Sequence, residues 1–428
     1  MTRSSLTRSA LWNLLARLAT VGLGLVLLAL VARHDPALQG QLSLLIAAES
    51  IAVSLWSGLG LVIARQVSHH HEQAHDWVVT GLRVAVGAGA VTALALWGLS
   101  AVAGLGPSYG FLPWLALAMP LLLVAPTVSG AWLGEGRMAP LNLTGVLPPA
   151  LALAVVGALS LSGRPLDAAS VVVAWLGSRS LWGAWLLLRH ARPTETPARL
   201  GIWAGQARFC AVLGLTNLVS WLNFRVDLFL VEQGAGLTPA AVYAVAVSVT
   251  ELLWFVSSAV STAAYARIGA AARGDAARLA VRIIHVNLLL LMLVGPCLPL
   301  AGAGLLPWLL GPAYDRAWVL ICLLLPGVWA YAAATTLSAF YTNQLGRPGL
   351  SAAVAGVSLG INLLLCQILI PLWGAAGAAV ATSASYVLAI GVGLELFRRH
   401  AGLRWPTLLR IEPRLLWAAW RRRDGASP

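Results

Sequence analysis

The chain has 428 residues, of which 59% are hydrophobic and only 10% are charged. Soluble domains carry roughly 25% charged residues, so this composition excludes a soluble globular protein. About a dozen spans of ~22 residues each would occupy a share of the chain close to its hydrophobic fraction. The composition therefore predicts an all-α, polytopic membrane protein of about 12 transmembrane helices.

Apolar runs bounded by arginine, proline or glycine predict six spans in each half of the chain. The most polar stretch inside the chain, 189–199, is predicted to link the halves. The predicted domains are an N-terminal six-helix bundle over 1–199, a C-terminal six-helix bundle over 200–400 and a basic cytoplasmic tail over 401–428. The predicted spans are 10–33, 40–64, 77–104, 111–134, 140–162, 167–188, 205–231, 239–266, 281–310, 317–343, 348–371 and 374–397.

The net charge of +13 comes from 28 arginines, since the chain has no lysine. In this topology 22 arginines fall on one side of the membrane and three, Arg33, Arg164 and Arg316, on the other. The positive-inside rule then places both termini in the cytoplasm and indicates membrane orientation, not nucleic-acid binding. The tail mixes tryptophans with arginines, which is typical of an interfacial helix on an anionic leaflet. A disordered basic end is the alternative.

Landmarks of the first half recur in the second. Glu49 and Arg65 recur as Glu251 and Arg267 with an identical shift of 202 residues, and two other landmarks recur with shifts of 206 and 210. Such a repeat predicts two bundles of the same orientation, related by an axis along the membrane normal, around a central cavity.

Six charged residues lie inside the predicted spans. A charge at the centre of a span costs ~2.5–3.5 kcal/mol, so such residues face protein or water. Either they pair with one another and hold the bundle together, or they line a charged central cavity, and both interpretations stay open. The six are Arg17, Glu49, Arg179, Arg225, Asp227 and Glu251.

Helical spacing groups several of these charges with polar or aromatic neighbours. Asn13 and Arg17 share one face of the first span. Trp175, Arg179 and Trp182 cluster in the sixth span. In this arrangement the Arg179 guanidinium could bind a phosphate, and the aromatic faces on either side of it could stack on sugars. The alternative for these tryptophans is packing against lipid.

In the seventh span Arg225 lies near the predicted outer end, so snorkelling to the headgroups is an alternative to binding. Asp227 lies on a different face, above a stripe of small polar residues. Similar stripes occur in spans ten and eleven, the latter ending at Asn362. These stripes either join helices or offer neutral hydrogen bonds to a polyhydroxylated ligand.

The sequence patterns of enzymes are either missing or lie in the wrong context. GxxxxGK[ST] and a strand-to-helix GxGxxG are missing, whereas the letters of GxSxG occur at 356–360 inside a predicted span and those of HExxH at 71–75 in a predicted loop. We expect no catalysis, no ATP hydrolysis and no cofactor. The run His69-His70-His71 with Glu72 and His75 could bind a metal, but a solvated loop is the preferred interpretation, and no metal site is predicted.

Three segments of the second half carry a family resemblance. FRVDLFLVEQGAGLTPAAVYAVAVSVTELLWF contains Arg225, Asp227 and Tyr243 around the predicted turn between spans seven and eight. LLGPAYDRAWVLICLLLPGVWAYAAATTLSAFYTNQLGRPGL and INLLLCQILIPLWGAAGAAVATSASYVL cover the later spans, with Asn362 and Pro371. With these segments the chain resembles the multidrug, oligosaccharidyl-lipid and polysaccharide exporter superfamily, particularly its bacterial polysaccharide branch.

The resemblance implies a flippase of the bacterial inner membrane. Its cargo would be an undecaprenyl-pyrophosphate-linked oligosaccharide for O-antigen, capsule or exopolysaccharide assembly, with glycosyltransferases and a polysaccharide polymerase as partners. Arg17 and Arg179 would hold the pyrophosphate, with Asn13, Trp175, Trp182, Arg225 and Asn362 as further substrate-binding candidates. Glu49, Glu251 and Asp227 would orient arginines or carry coupling protons.

Two alternatives remain. The first is an ion-coupled drug or metabolite antiporter of the same superfamily, although such relatives commonly carry an acidic residue where this chain has Arg17. The second belongs to another class, a non-transporting membrane scaffold of a polysaccharide synthesis complex. A scaffold would tolerate the loss of the charges within the spans, whereas a transporter would require them.

Overall fold

The computed structural model describes the backbone of residues 3–69, 74–101, 105–191, 200–347 and 349–409. These residues form α-helices and two short 3₁₀ turns but no strand, which confirms the all-α fold class. Their contacts divide the chain into two compact units, Met1–Trp221 and Leu222–Pro428. The division falls inside a helix, later in the chain than the predicted linker at 189–199, part of which lies outside the described residues. The domain boundary at 199/200 stays a prediction.

The first unit contains eight helices and the beginning of a ninth among its described residues. They are α1 Arg3–His34, α2 Pro36–Ser54, α3 Ser57–His69, α4 Ala74–Ser100, α5 Leu112–Leu122, α6 Val124–Gly134, α7 Met138–Leu161, α8 Ala168–His190 and α9 Leu200–Ala235.

The second unit takes the end of α9 and the helices that follow. They are α10 Leu237–Ala270, α11 Arg273–Val294, α12 Cys297–Leu310, α13 Ala317–Ala333, α14 Thr336–Asn343, α15 Gly349–Trp373, α16 Ala375–Ala401 and α17 Trp405–Leu409.

Twelve helical segments of the described chain are long and apolar enough to cross a membrane. They overlap the twelve predicted spans one by one, from Leu15–His34 to Ala375–Ala401. Helices satisfy all their backbone hydrogen bonds internally, which is what the bilayer core requires. The protein is therefore a multi-pass membrane protein, with twelve candidate spans in the part of the chain that the structure describes.

Four of the spans predicted to be continuous are broken in the structure. The breaks lie at Leu55–Trp56, at Leu123, at Gly295–Pro296 and at Ala334–Thr335. Prolines explain two of them, because Pro126 follows the Leu123 break closely and Pro296 lies in the break itself, and neither offers an N–H to the preceding turn. A hydropathy pattern does not register such breaks, since the residues around them remain apolar.

Side chains satisfy the backbone groups at the first break. The Ser54 hydroxyl donates to the Ile51 carbonyl and the Ser57 hydroxyl to the Ser54 carbonyl, both at 2.7 Å. Asn217 of α9 donates to the Ser57 hydroxyl at 2.7 Å. The middle of α9 therefore holds the α2–α3 break in place.

Small residues allow close helix crossings inside the first unit. A Cβ added to Gly130 of α6 would collide with the carbonyl oxygen of Gly60 in α3, and one added to Gly60 would collide with the Pro126 carbonyl oxygen. Backbones that approach this closely are typical of membrane helices packed through small residues. The α3–α6 crossing thus requires glycine on both sides.

The last described helix, α17, contacts α11 within the second unit. Leu408 of α17 is buried, and its carbonyl oxygen lies 2.7 Å from His285 Nε2 of α11. Residues 410–428, which hold most of the predicted interfacial tail, lie outside the described residues.

We predict that Gly130→Ala lowers the thermal stability of the detergent-purified protein, because overpacking of this kind costs about 1–3 kcal/mol. Gly157→Ala is the matched control, since no atom lies within 4 Å of the added Cβ. Equal melting temperatures for the two variants would contradict the α3–α6 crossing.

Candidate functional site

Glu49 and Arg179 form an ion pair inside the first unit. Arg179 Nη1 of α8 lies 3.1 Å from Glu49 Oε1 of α2, and the exposed fractions of the two side chains are 33% and 7%. Both residues lie within candidate spans. Because each cancels the charge of the other, the pair explains how two charges are accommodated in an apolar bundle.

Trp175 fixes this pair from the adjacent turn of α8. Its indole Nε1 donates to Glu49 Oε2 at 2.7 Å, so both carboxylate oxygens of Glu49 have a partner. The Arg179 guanidinium carbon lies 4.3 Å from the centroid of the Trp175 ring, in cation–π geometry. The spacing of Trp175 and Arg179 thus brings them together as predicted, but around a glutamate of another helix.

A cavity of about 160 Å³ opens beside the ion pair, within the first unit. Five helices supply its lining, and the charged lining residues are Glu49 and Arg179. The polar remainder of the lining comes from the Ser129 and Thr144 hydroxyls and the Trp182 indole. The other lining residues are Val53, Leu122, Ala125, Pro126 and Pro148.

Two nitrogen donors of the lining residues are buried without a hydrogen-bond acceptor among the described residues. They are Arg179 Nε and Trp182 Nε1. Trp182 is 6% exposed and stacks on Trp185, with ring centroids 4.9 Å apart. Buried donors without a partner cost free energy, which the ion pair and the tryptophan stacking around them offset.

A second ion pair lies in the second unit. Arg225 Nη2 of α9 lies 2.8 Å from Glu251 Oε2 of α10, with exposed fractions of 23% and 19%. Glu49 and Glu251, which recur at a fixed shift in the sequence, therefore pair with arginines of non-equivalent spans. Arg225 contacts protein, in contrast to the snorkelling alternative.

Asp227 is buried in a separate polar cluster of the second unit. Its Oδ2 accepts hydrogen bonds from the Tyr243 hydroxyl of α10 and the Thr382 hydroxyl of α16, the latter at 2.8 Å. Its Oδ1 accepts from the Leu228 backbone N–H at 2.9 Å. Neutral hydroxyl and backbone donors therefore hold both oxygens of this carboxylate.

Asn362 of α15 extends the Asp227 cluster. Its Nδ2 donates to the Thr382 hydroxyl at 3.1 Å, and the Cys366 thiol donates to its Oδ1 at 3.1 Å. Sequence reasoning named Asp227 and Asn362 but missed Thr382 and Cys366. The available signal was the helical spacing of four residues between Asn362 and Cys366, and a threonine in the apolar run of α16.

Arg17 and Asn13 stand apart from both clusters. Arg17 is exposed and Asn13 partly buried, and neither lines the cavity beside Glu49. In the part of the chain that the structure describes, Arg17 forms no ion pair. The structure thus brings Glu49, Trp175, Arg179 and Trp182 together but not the arginine of α1.

The described residues give no support for a metal site at the histidine run near the end of α3. Across the described ranges no group of three or more His, Cys, Asp or Glu side chains could hold a metal ion. His70, His71 and Glu72 lie outside the described residues.

Solved transporters share this fold. An inward-facing multidrug resistance MATE family transporter of the MOP superfamily aligns over 90% of this chain and 94% of its own, with 16% identity and a TM-score of 0.68. The lipid II flippase MurJ, in an inward closed conformation, aligns over 97% and 93%, with 13% identity and a TM-score of 0.73. A MOP superfamily transporter from Pyrococcus furiosus aligns over 92% and 95%, with 16% identity and a TM-score of 0.55.

No protein-family model matches the sequence, and no curated protein matches it significantly. At identities this low the structural likeness shows the fold alone. The chain therefore has the fold of MATE and MurJ transporters, which confirms the coarse prediction of a MOP-type membrane fold.

We predict a measurable coupling free energy between Glu49 and Arg179, about 1–2 kcal/mol, because the carboxylate is buried and the bond is charge-assisted. A double-mutant cycle of Glu49→Gln and Arg179→Gln, followed by equilibrium unfolding in mixed micelles, measures it.

Arg278 and Asp275 provide the control pair, since their side chains are 71% and 65% exposed. Exposed pairs contribute little, so the same cycle on this pair should give less than about 0.5 kcal/mol. Equal coupling in the two cycles would contradict the buried assignment.

Proposed function

We propose that this protein is a flippase that moves an undecaprenyl-pyrophosphate-linked oligosaccharide from the cytoplasmic to the periplasmic leaflet for polysaccharide biosynthesis. The shared fold with transporters supports a transport role. One of these structures is a lipid II flippase. The sequence resemblance to polysaccharide exporters favours a lipid-linked glycan as cargo.

Arg17 is the observation that carries the choice of an anionic lipid cargo. It is exposed and lies within the candidate span Leu15–His34, in the half nearer the end predicted to be cytoplasmic. This is the side from which the proposed lipid-linked cargo would be loaded. A guanidinium that no carboxylate of the described chain neutralises can bind phosphate oxygens with two parallel hydrogen bonds.

The rival function, an ion-coupled drug or metabolite antiporter, requires for a cationic drug an acidic group that attracts the drug, in addition to the carboxylate that carries the coupling ion. Glu49 and Glu251 are instead neutralised by Arg179 and Arg225. The predicted excess of arginine on the cytoplasmic side also repels cations and attracts anions. These charges favour the anionic cargo over the antiporter alternative.

We assign the coupling role to Asp227. Its carboxylate is buried within a candidate span and accepts hydrogen bonds from the hydroxyl groups of Tyr243 and Thr382. Such a carboxylate gains or loses a proton or a small cation at a large change in local free energy. If a proton or cation occupies Asp227 to different extents in the inward-facing and outward-facing states, its binding and release would drive the transport cycle.

The cargo's chemistry defines the proposed partners. Glycosyltransferases on the cytoplasmic side would build the lipid-linked oligosaccharide, and a polymerase on the periplasmic side would consume it. The proposed location is the bacterial inner membrane with both termini in the cytoplasm.

Reconstitution in liposomes tests the proposal. A fluorescent polyprenyl-pyrophosphate-linked oligosaccharide is placed in both leaflets, and membrane-impermeant dithionite bleaches the outer one. We predict that bleaching passes from about half to nearly all of the probe when the wild-type protein is present. Arg17→Gln should slow the flipping at least about tenfold, as expected for the loss of a charged phosphate contact.

Arg83→Gln is the control, because Arg83 is also an exposed arginine near the predicted cytoplasmic face. A pH or sodium gradient should accelerate flipping by the wild type but not by Asp227→Asn. Transport of ethidium without flipping of the lipid would contradict the proposal and support the antiporter. Unchanged flipping by Arg17→Gln would show that this arginine only anchors α1 at the interface.

A further inference from the structure

Contacts with two helices of the second unit hold α17 in place. His285 Nε2 of α11 lies 2.7 Å from the Leu408 carbonyl oxygen, which can only accept the hydrogen bond. Both residues are buried. The Trp405 ring centroid lies 5.7 Å from the guanidinium carbon of Arg398 in α16, in cation–π geometry. The five residues of α17 are therefore fixed to the body of the protein.

Despite these contacts, α17 exposes large apolar side chains. Trp405 and Leu409 are 38% and 65% exposed. They lie four residues apart and therefore on one face of the helix. An aromatic and an aliphatic side chain exposed together are typical of a short helix that lies between the headgroups and the acyl chains of a bilayer.

The contact with His285 indicates the depth of α17 in the membrane. No Asp, Glu, Lys or Arg follows Arg282 in the chain until Asp315. α11 therefore enters the apolar core of the membrane just after Arg282, within about one turn of His285. Because His285 bonds to Leu408, α17 lies at the boundary between headgroups and acyl chains. This is the end of α11 that the positive-inside rule places in the cytoplasm.

Arginines lie at the same level as α17. Arg282 is three residues before His285 on the same face of α11, and Arg404 immediately precedes α17. Both arginines are exposed. The acidic residues of α11 and α16, Asp275 and Glu395, pair with other arginines. An exposed guanidinium at this depth can bind phosphate oxygens with two parallel hydrogen bonds.

We propose that α17 and the adjoining turn of α11 form a docking site for anionic phospholipid at the predicted cytoplasmic face. Trp405 and Leu409 insert between the acyl chains near the headgroups, and Arg282 and Arg404 bind the lipid phosphates. A lipid that binds the folded protein alone stabilises it by mass action. The site shares no residue with the proposed cargo site at Arg17, so each is tested separately.

The depth of a spin label at α17 tests the insertion. Leu409→Cys is labelled in a full-length chain whose four native cysteines are replaced by alanine, and the protein is reconstituted in vesicles of phosphatidylcholine and phosphatidylglycerol. The label should collide more often with oxygen, which concentrates in the bilayer, than with a water-soluble nickel complex. Asp275→Cys is the control on the aqueous side of Arg282 and should show the reverse. Collisions mainly with the nickel complex at position 409 would place α17 in water and overturn the proposal.

Thermal unfolding in nanodiscs tests the class of lipid. Replacing part of the phosphatidylcholine by phosphatidylglycerol should raise the melting temperature of the wild type. The double variant Arg282→Gln/Arg404→Gln should bind phosphatidylglycerol at least about tenfold more weakly, because each arginine near an anionic surface contributes about fivefold. It should therefore lose most of the rise in melting temperature.

Arg164→Gln/Arg316→Gln is the matched control, since both arginines are exposed but lie on the opposite predicted face. This variant should retain the full rise. An equal rise for the wild type and Arg282→Gln/Arg404→Gln would overturn the proposal, as would an equal loss in the control. The same rise from inorganic phosphate in pure phosphatidylcholine would also overturn it, because the lipid would then be unnecessary.

Discussion

The structure depends on one constraint, that a charge placed within an apolar bundle must be neutralised inside that bundle. Each unit meets it separately. Glu49 pairs with Arg179 in the first unit, and Arg225 pairs with Glu251 in the second. Asp227 is further stabilised by hydrogen bonds from the hydroxyl groups of Tyr243 and Thr382. These contacts determine which polar groups are left for a ligand.

The hydropathy of the sequence was sufficient to predict the spans, because twenty or so apolar residues in a bilayer have no stable alternative to a helix. The breaks in four spans escaped prediction, since they depend on local backbone partners such as the Ser54 and Ser57 hydroxyls. The division between the units inside α9 was equally hidden, because α9 is one continuous helix from Leu200 to Ala235.

The candidate site could be predicted in its residues but not in its pairings. Spacing along α8 brought Trp175 and Arg179 together, yet nothing in the sequence indicated that Glu49 of α2 would complete the pair. The cavity could not be predicted from the sequence either, because Ser129 and Thr144 of its lining come from other helices. The neutral cavity and the exposed arginine of α1 are therefore separate polar features of the first unit.

The proposed transport role requires that the cavity beside Glu49 open in turn to each side of the membrane. Accessibility from the two sides tests this requirement most directly. Ser129→Cys is placed in a chain whose four native cysteines are replaced by alanine. An impermeant maleimide is then applied to right-side-out and to inverted vesicles, with Arg137→Cys and Ser162→Cys as controls for the predicted cytoplasmic and periplasmic faces. The account predicts that position 129 reacts from both sides while each control reacts from one. Reaction of position 129 from only one side, or from neither, would contradict it.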